Sequence, residues 1–126
     1  MRAVDTNVLV RLITRDDPGQ VASAEAFIQP GAWVSLLALT EATWVLTAAY
    51  GREAAEIITA IEMLLDHQSL TIQWADVVVQ ALDLLRSRPA LGFSDCLMLQ
   101  TARQAGHLPL GTFDRSLAKV VGTQKL

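Results

Sequence analysis

The chain has one cysteine, Cys96, among its 126 residues. That excludes an internal disulfide framework and most cysteine-based metal centres. No apolar run approaches the roughly 18 residues that a membrane-spanning helix requires. The opening Met1-Arg2-Ala3-Val4-Asp5 lacks the long apolar segment and cleavage site of a secretory leader, so we expect a cytoplasmic protein and no membrane. Lysine is scarce, with only Lys119 and Lys125. The formal net charge of −3 argues against a domain held on nucleic acid by bulk positive charge. An acidic metal site remains compatible with it, because bound cations cancel the charge of their ligands. His67 and His107 fall near expected helix ends, and neither has metal-ligand spacing to another histidine or to Cys96.

What is present is apolar. Hydrophobic residues make up 52% and charged ones 18%, which describes a globular chain and not a disordered tail. The length suits one domain with a core, residues 1–126, and is too short for two. The mean hydropathy of +0.33 is high for a small soluble monomer, so some apolar surface is expected to be covered by another chain.

Short apolar runs alternate with helical periodicity. Ala3-Val4 reads as a first strand, followed by Val8, Leu9, Leu12 and Ile13 at helical spacing. Asp17-Pro18 predicts an N-cap and first helical residue, with the helix running to about Ile28 and broken by Pro30-Gly31. Ala32 to Ser35 is a second strand. A helix follows to Tyr50 and stops at Gly51, and another spans about Glu53 to Asp66 with an apolar face of Ala54, Ile57, Ile58, Ile61, Leu64 and Leu65. Leu70-Thr71-Ile72 is a third strand, and Val77 to Arg86 a helix with Ala81, Leu82 and Leu85 inward. Pro89 to Phe93 reads as a loop. Ser94 caps a helix that ends near Gly106. Leu108-Pro109-Leu110 is a fourth strand, and Thr112-Phe113-Asp114 leads into a last short helix. This alternation predicts an α/β fold with a mainly parallel sheet covered on both faces. There is no internal repeat, low-complexity segment or linker.

Four acids stand at or just beyond the expected strand-to-helix turns: Asp5, Glu41, Asp95 and Asp114. Taken alone, Asp5 and Asp114 read as N-caps and Asp95 as a first-turn acid favoured by the helix dipole. Asp95 shares a face with Leu99 and Ala102, which should pack on the sheet. Glu41 lies inside a helix in phase with Leu37, Val45 and Ala48. A carboxylate on a core-facing stripe must pair with a cation or stay protonated. In open α/β sheets ligands bind beyond the carboxyl ends of the strands, where Asp5 and Asp114 fall. Four such acids suggest a shared divalent cation, and Mg²⁺ or Mn²⁺ prefers oxygen ligands.

The neighbours of these acids are neutral and polar. Thr6, Asn7, Ser94 and Thr112 could orient carboxylates or hold water, although capping and turn bonding explain Thr6 and Ser94 as well. Arg11 and Arg15, and again Arg115 and Lys119, are like charges spaced i,i+4, an arrangement that an anion such as phosphate would relieve. Asp16 and Asp17 are a duller partner for the first pair. Trp33, Trp44 and Trp74 read as core or interface anchors.

In sequence order, Asp5-Thr6-Asn7-Val8-Leu9, Glu41, Phe93-Ser94-Asp95-Cys96-Leu97 and Thr112-Phe113-Asp114 resemble the PIN-domain nucleases, and most nearly the VapC type, the toxin half of bacterial toxin–antitoxin pairs. The likeness covers essentially the whole chain. It implies a three-layer α/β sandwich and an endoribonuclease dependent on Mg²⁺ or Mn²⁺. On that resemblance Asp5, Glu41, Asp95 and Asp114 hold the metal, Asn7 and Thr112 are accessory, and the products carry 5′-phosphate and 3′-hydroxyl ends. It also implies an RNA substrate, a homodimer and an antitoxin that lies over the active site. Three rivals stand beside it. A receiver-type magnesium-binding domain would want adjacent acids after strand one and a lysine near the last strand. A PIN-like domain could bind RNA or protein without turnover. A DNA nuclease would use the same chemistry, since nothing here reads a 2′-hydroxyl.

Overall fold

The computed structural model describes every residue from Met1 to Leu126. The chain divides into two compact units, Met1–Ala75 and Asp76–Leu126. No helix is long and apolar enough to cross a membrane.

The first unit runs β1 (Arg2–Ala3), α1 (Thr6–Thr14), α2 (Pro18–Ile28), β2 (Ala32–Val34), α3 (Leu36–Tyr50), α4 (Ala54–Asp66) and β3 (Leu70–Ile72). Its three strands form one parallel sheet in the order β1-β2-β3, with Arg2 opposite Ala32, Ala3 opposite Trp33, and Val34 opposite Ile72. Successive strand residues face opposite sides. Ala32, Val34, Leu70 and Ile72 are therefore buried, while Trp33 and Thr71 on the other side are exposed. The α/β fold with a short parallel sheet is as the sequence predicts.

Local chemistry fixes the helix ends. Asp17 caps α2 by accepting from the Gln20 amide at 3.1 Å, and Pro18 takes the first helical position, as the sequence predicts. Ser35 caps α3, accepting from the Ala38 amide at 3.1 Å. Gly51 ends α3 with φ 63°, a left-handed conformation that carries no side-chain penalty at glycine. Glu53 and Glu56 form a reciprocal capping box on α4. α1 packs on α2 and α3, burying Leu9, Val10 and Leu12 together with Val21, Ile28, Leu39 and Leu46. Each such side chain contributes about 1.5–3 kcal/mol on leaving water. No buried side-chain polar atom lacks a partner.

The second unit holds α5, which starts at Ala75 and ends at Ser87, then a 3₁₀ turn (Pro89–Leu91), α6 (Phe93–Ala105), β4 (Leu110–Thr112), a second 3₁₀ turn (Leu117–Lys119) and β5 (Thr123–Lys125). β4 and β5 pair in parallel, with Gly111 opposite Gln124, as a separate two-stranded sheet. Val77, Val78, Ala81, Leu82 and Leu85 of α5 are buried, as are Cys96, Leu97 and Leu99 of α6.

Several sequence expectations shift here. The first strand covers Arg2–Ala3 and leaves Val4 beyond it, and the fourth covers Leu110–Thr112 instead of residues 108–110. Pro109 lacks the amide a ladder needs, so pairing begins only after it. The last short helix is the 3₁₀ turn, and β5 had no sequence signal because Thr123-Gln124-Lys125 is polar and mostly exposed. Ser94 does not cap α6. The helix starts at Phe93, two residues before a Ser94 cap would place it, with Gly92 in the cap position at φ 80°.

Candidate active site

In the first unit the candidate acids occupy the β1–α1 turn and the middle of α3. Asp5 has extended backbone angles and caps α1, its Oδ1 accepting from the Val8 amide at 3.2 Å. The other carboxylate oxygen has no protein partner. Thr6, the first residue of α1, donates its hydroxyl to Oε2 of Glu41 at 2.7 Å. That bond fixes the rotamer of Glu41 and ties it to the residue beside Asp5.

Glu41 does not face the core. The buried side of α3 is Ala38, Leu39, Ala42, Thr43 and Leu46, whereas Glu41 lies on the exposed side with Leu37 and Trp44. Asp5 and Asp114 are exposed as well, and Asp95 is half-buried. The expectation of a core-facing Glu41 is thus corrected. The cause is legible in α3: Glu41 is the only charge in Leu36–Tyr50, so hydrophobic periodicity had no polar face against which to orient the helix. Thr6 had been read chiefly as a local cap, and its bond to Glu41 spans 35 residues of sequence, beyond any local pattern.

Asn7 is exposed on α1. It lines, with Asp5, Val8, Arg11, Ala24 and Phe27, an apolar groove of about 310 Å³ between α1 and α2. Arg11 and Arg15 are held by protein acids. Arg11 meets Asp16 at 2.6 Å and also donates to Gln20 and to the Tyr50 hydroxyl. Arg15 meets Glu25 at 3.1 Å. Their like-charge spacing is therefore relieved without phosphate, for Arg11 by the duller partner named above. Hydrogen bonds from Thr14 and Tyr50, then from Arg11, lower the Asp16 carboxyl to a pKa of about 2.

In the second unit Asp95 sits in the first turn of α6. A helix N-terminus favours the ionised form. Burial pushes the Asp95 carboxyl above its usual range nonetheless, and the charge of Asp114 pushes it further in the same direction. Asp114 accepts from the Leu117 amide at 2.8 Å through Oδ1, and its own amide donates to the Thr112 hydroxyl at 3.0 Å. Thr112 thus shapes the turn that presents Asp114. Lys125 donates to the Phe113 carbonyl on the same turn. Arg115 and Lys119 are exposed and form no ion pair.

None of the four acids pairs with a basic residue. The arginines that do form ion pairs go elsewhere: Arg11 to Asp16, Arg15 to Glu25, Arg52 to Glu56 and Arg86 to Asp83. No group of three or more His, Cys, Asp or Glu side chains is gathered closely enough to hold a metal ion. The donor chemistry nevertheless suits a hard cation, because all four groups are carboxylates without a counter-charge.

A comparison with curated proteins and one with solved structures gave no match. The family model for the PIN domain matches residues 2–122, which takes in both units and all four acids. The chain therefore belongs to the PIN domain family, whose members are generally nucleases that use divalent metals.

Proposed function

We propose that this protein is an endoribonuclease dependent on Mg²⁺ or Mn²⁺, and the VapC-like toxin of a type II toxin–antitoxin pair. Asp5, Glu41, Asp95 and Asp114 would hold the metal. The observation that carries this reading is that the four carboxylates, all within the residues the PIN family model matches, have no basic partner, whereas Asp16, Glu25, Glu56 and Asp83 each engage an arginine. Burial raises the Asp95 carboxyl above its usual range and the charge of Asp114 adds to this, a penalty that a cation would relieve.

When bound, the metal lowers the pKa of water and neutralises phosphate charge, which suits in-line attack on a phosphodiester. The side chains of the protein do the rest. Thr6 keeps Glu41 in one rotamer. Asp5 and Asp114 each use one oxygen for capping and keep the other available. Asp95 or Asp114 would take the proton lost by the attacking water. Asn7 and Thr112 act as accessories. Arg115 and Lys119, which form no ion pair, are better placed to meet substrate phosphates than Arg11 and Arg15 are. The proposed protein works in the cytoplasm as a homodimer and is silenced by a cognate antitoxin.

The test is cleavage of a mixed single-stranded RNA by antitoxin-free protein. Cutting should require Mg²⁺ or Mn²⁺ and vanish in Asp95→Asn. Undiminished cutting in excess EDTA, or by that variant, would refute the proposal. Equal cutting of the matching DNA would replace the ribonuclease with a general nuclease.

A further inference from the structure

Aromatic residues are few, namely three tryptophans, three phenylalanines and one tyrosine. The two most exposed are Phe113, at 76%, and Trp44, at 72%. Trp33 is 36% exposed and Trp74 is 53% exposed. Trp44 and Phe113 have something in common beyond exposure. Trp44 is three residues after Glu41 on the exposed side of α3, so the two side chains are neighbours, with Cβ atoms about 5–6 Å apart by helix geometry. Phe113 immediately precedes Asp114 on the turn that Thr112 shapes. Each unit thus presents one solvent-facing ring next to one of its own candidate acids.

From this we infer that Trp44 and Phe113 are stacking platforms for nucleobases of the substrate. The inference rests on the nuclease reading. Affinity for nucleic acid ordinarily comes from lysines and arginines that displace counterions from phosphates. This chain has a net charge of −3, and α3 carries no basic residue at all. Base–aromatic stacking supplies affinity without charge and tolerates any sequence, because every base has a π-face. A base held in a duplex cannot offer that face, whereas an unpaired one can. A ring one helical turn from a carboxylate can engage the base while the carboxylate meets the ion at the adjoining phosphate.

A protein partner on the same face is the competing occupant, and Leu37 separates the two. It is 70% exposed and lies four residues before Glu41 on α3. A protein surface would cover Leu37 as well as Trp44, whereas a base would stack on Trp44 alone.

The experiment is steady-state cleavage of a single-stranded RNA oligomer by the full chain, with sedimentation of each variant alongside. Trp44→Ala should raise KM about tenfold, with kcat changed by less than about twofold. Trp44→Phe should recover most of the loss and Trp44→Leu should not. Leu37→Ala should leave KM unchanged. Phe113→Ala and Phe113→Leu should both raise KM, by similar factors. An oligomer with an abasic residue beside the mapped cut should erase the difference between wild type and Trp44→Ala. If wild type cuts RNA and Trp44→Ala keeps its KM, the stacking role is wrong and the nuclease reading stands. If Leu37→Ala matches Trp44→Ala and both alter the sedimentation coefficient, the face is a protein interface. If wild type cuts no RNA under any metal, the nuclease reading falls first and this inference with it.

Discussion

Met1–Ala75 and Asp76–Leu126 each supply two of the candidate acids, and they hold them by opposite means. In the first unit the carboxylates are satisfied locally: Asp5 caps α1 and Glu41 takes the Thr6 hydroxyl. In the second the two acids work against each other, for Asp95 is half-buried and the charge of Asp114 adds to the effect of burial. The first pair is positioned without a cation. The second is unfavourable without one. In the proposed site a cation would relieve Asp95, whereas Asp5 and Glu41 already have hydrogen-bond partners of their own.

Cleavage is where the two units should agree. Asp5→Asn keeps an oxygen for the Val8 amide, since asparagine caps as well as aspartate does. Asp95→Asn keeps the shape of its first helical turn. Each should nonetheless lose cleavage by at least about 100-fold, a size typical of losing an acid–base group or metal ligand. Loss in only one variant, measured as initial rate on RNA, would break the joint site. Thr6→Val should cost less, about 10-fold, because it removes only the group that orients Glu41.

Stability is where the units should part. In metal-free buffer Asp5→Ala deletes a cap, which costs about 1 kcal/mol and lowers Tm by about 4 °C. Asp95→Asn removes a charge that the fold disfavours and should raise Tm. Thermal unfolding of both checks the contrast, and a fall in Tm for Asp95→Asn would mean that its charge is stabilised by something other than added metal. Serines sharpen the same comparison on a smaller scale. Ser35→Ala should cost about 1 kcal/mol through its lost bond to the Ala38 amide, while Ser94→Ala should stay within about 0.5 kcal/mol because Ser94 caps nothing.

The smallest effect concerns pH. Asp16, in the first unit, is shifted opposite to Asp95, down to about 2 from an ordinary 3.8. Its contribution to stability is present above the ordinary carboxylate range and fades as pH falls from about 4 to about 2. Tyr50→Phe removes one of its donors and should move the Asp16 midpoint upward in an NMR titration.

Much of this was legible in the sequence because it is local. Asp17-Pro18 marked the start of α2, Gly51 the end of α3, and Leu70–Ile72 the third strand, each through the conformational limits of a few neighbouring residues. The order of the four acids marked the family. What the sequence could not show was orientation. Glu41 looked inward because α3 is apolar nearly all round, and the choice of face is made by α1 packing against it. The same packing leaves Trp44 in solvent, which excludes the core half of its core-or-interface reading. β5 escaped notice because a polar strand of three residues has no periodicity to detect. The division into two units follows from long-range contacts that no spacing encodes.

The central claim of the proposal is that Asp5, Glu41, Asp95 and Asp114 serve one metal. Titration of Mn²⁺ into the metal-free protein, followed by calorimetry, tests it in wild type, Asp5→Asn and Asp95→Asn. The account predicts a single binding event in wild type, and the same event lost or strongly weakened in both variants. Two separable events, each removed by a different variant, or no binding at millimolar Mn²⁺, would contradict it.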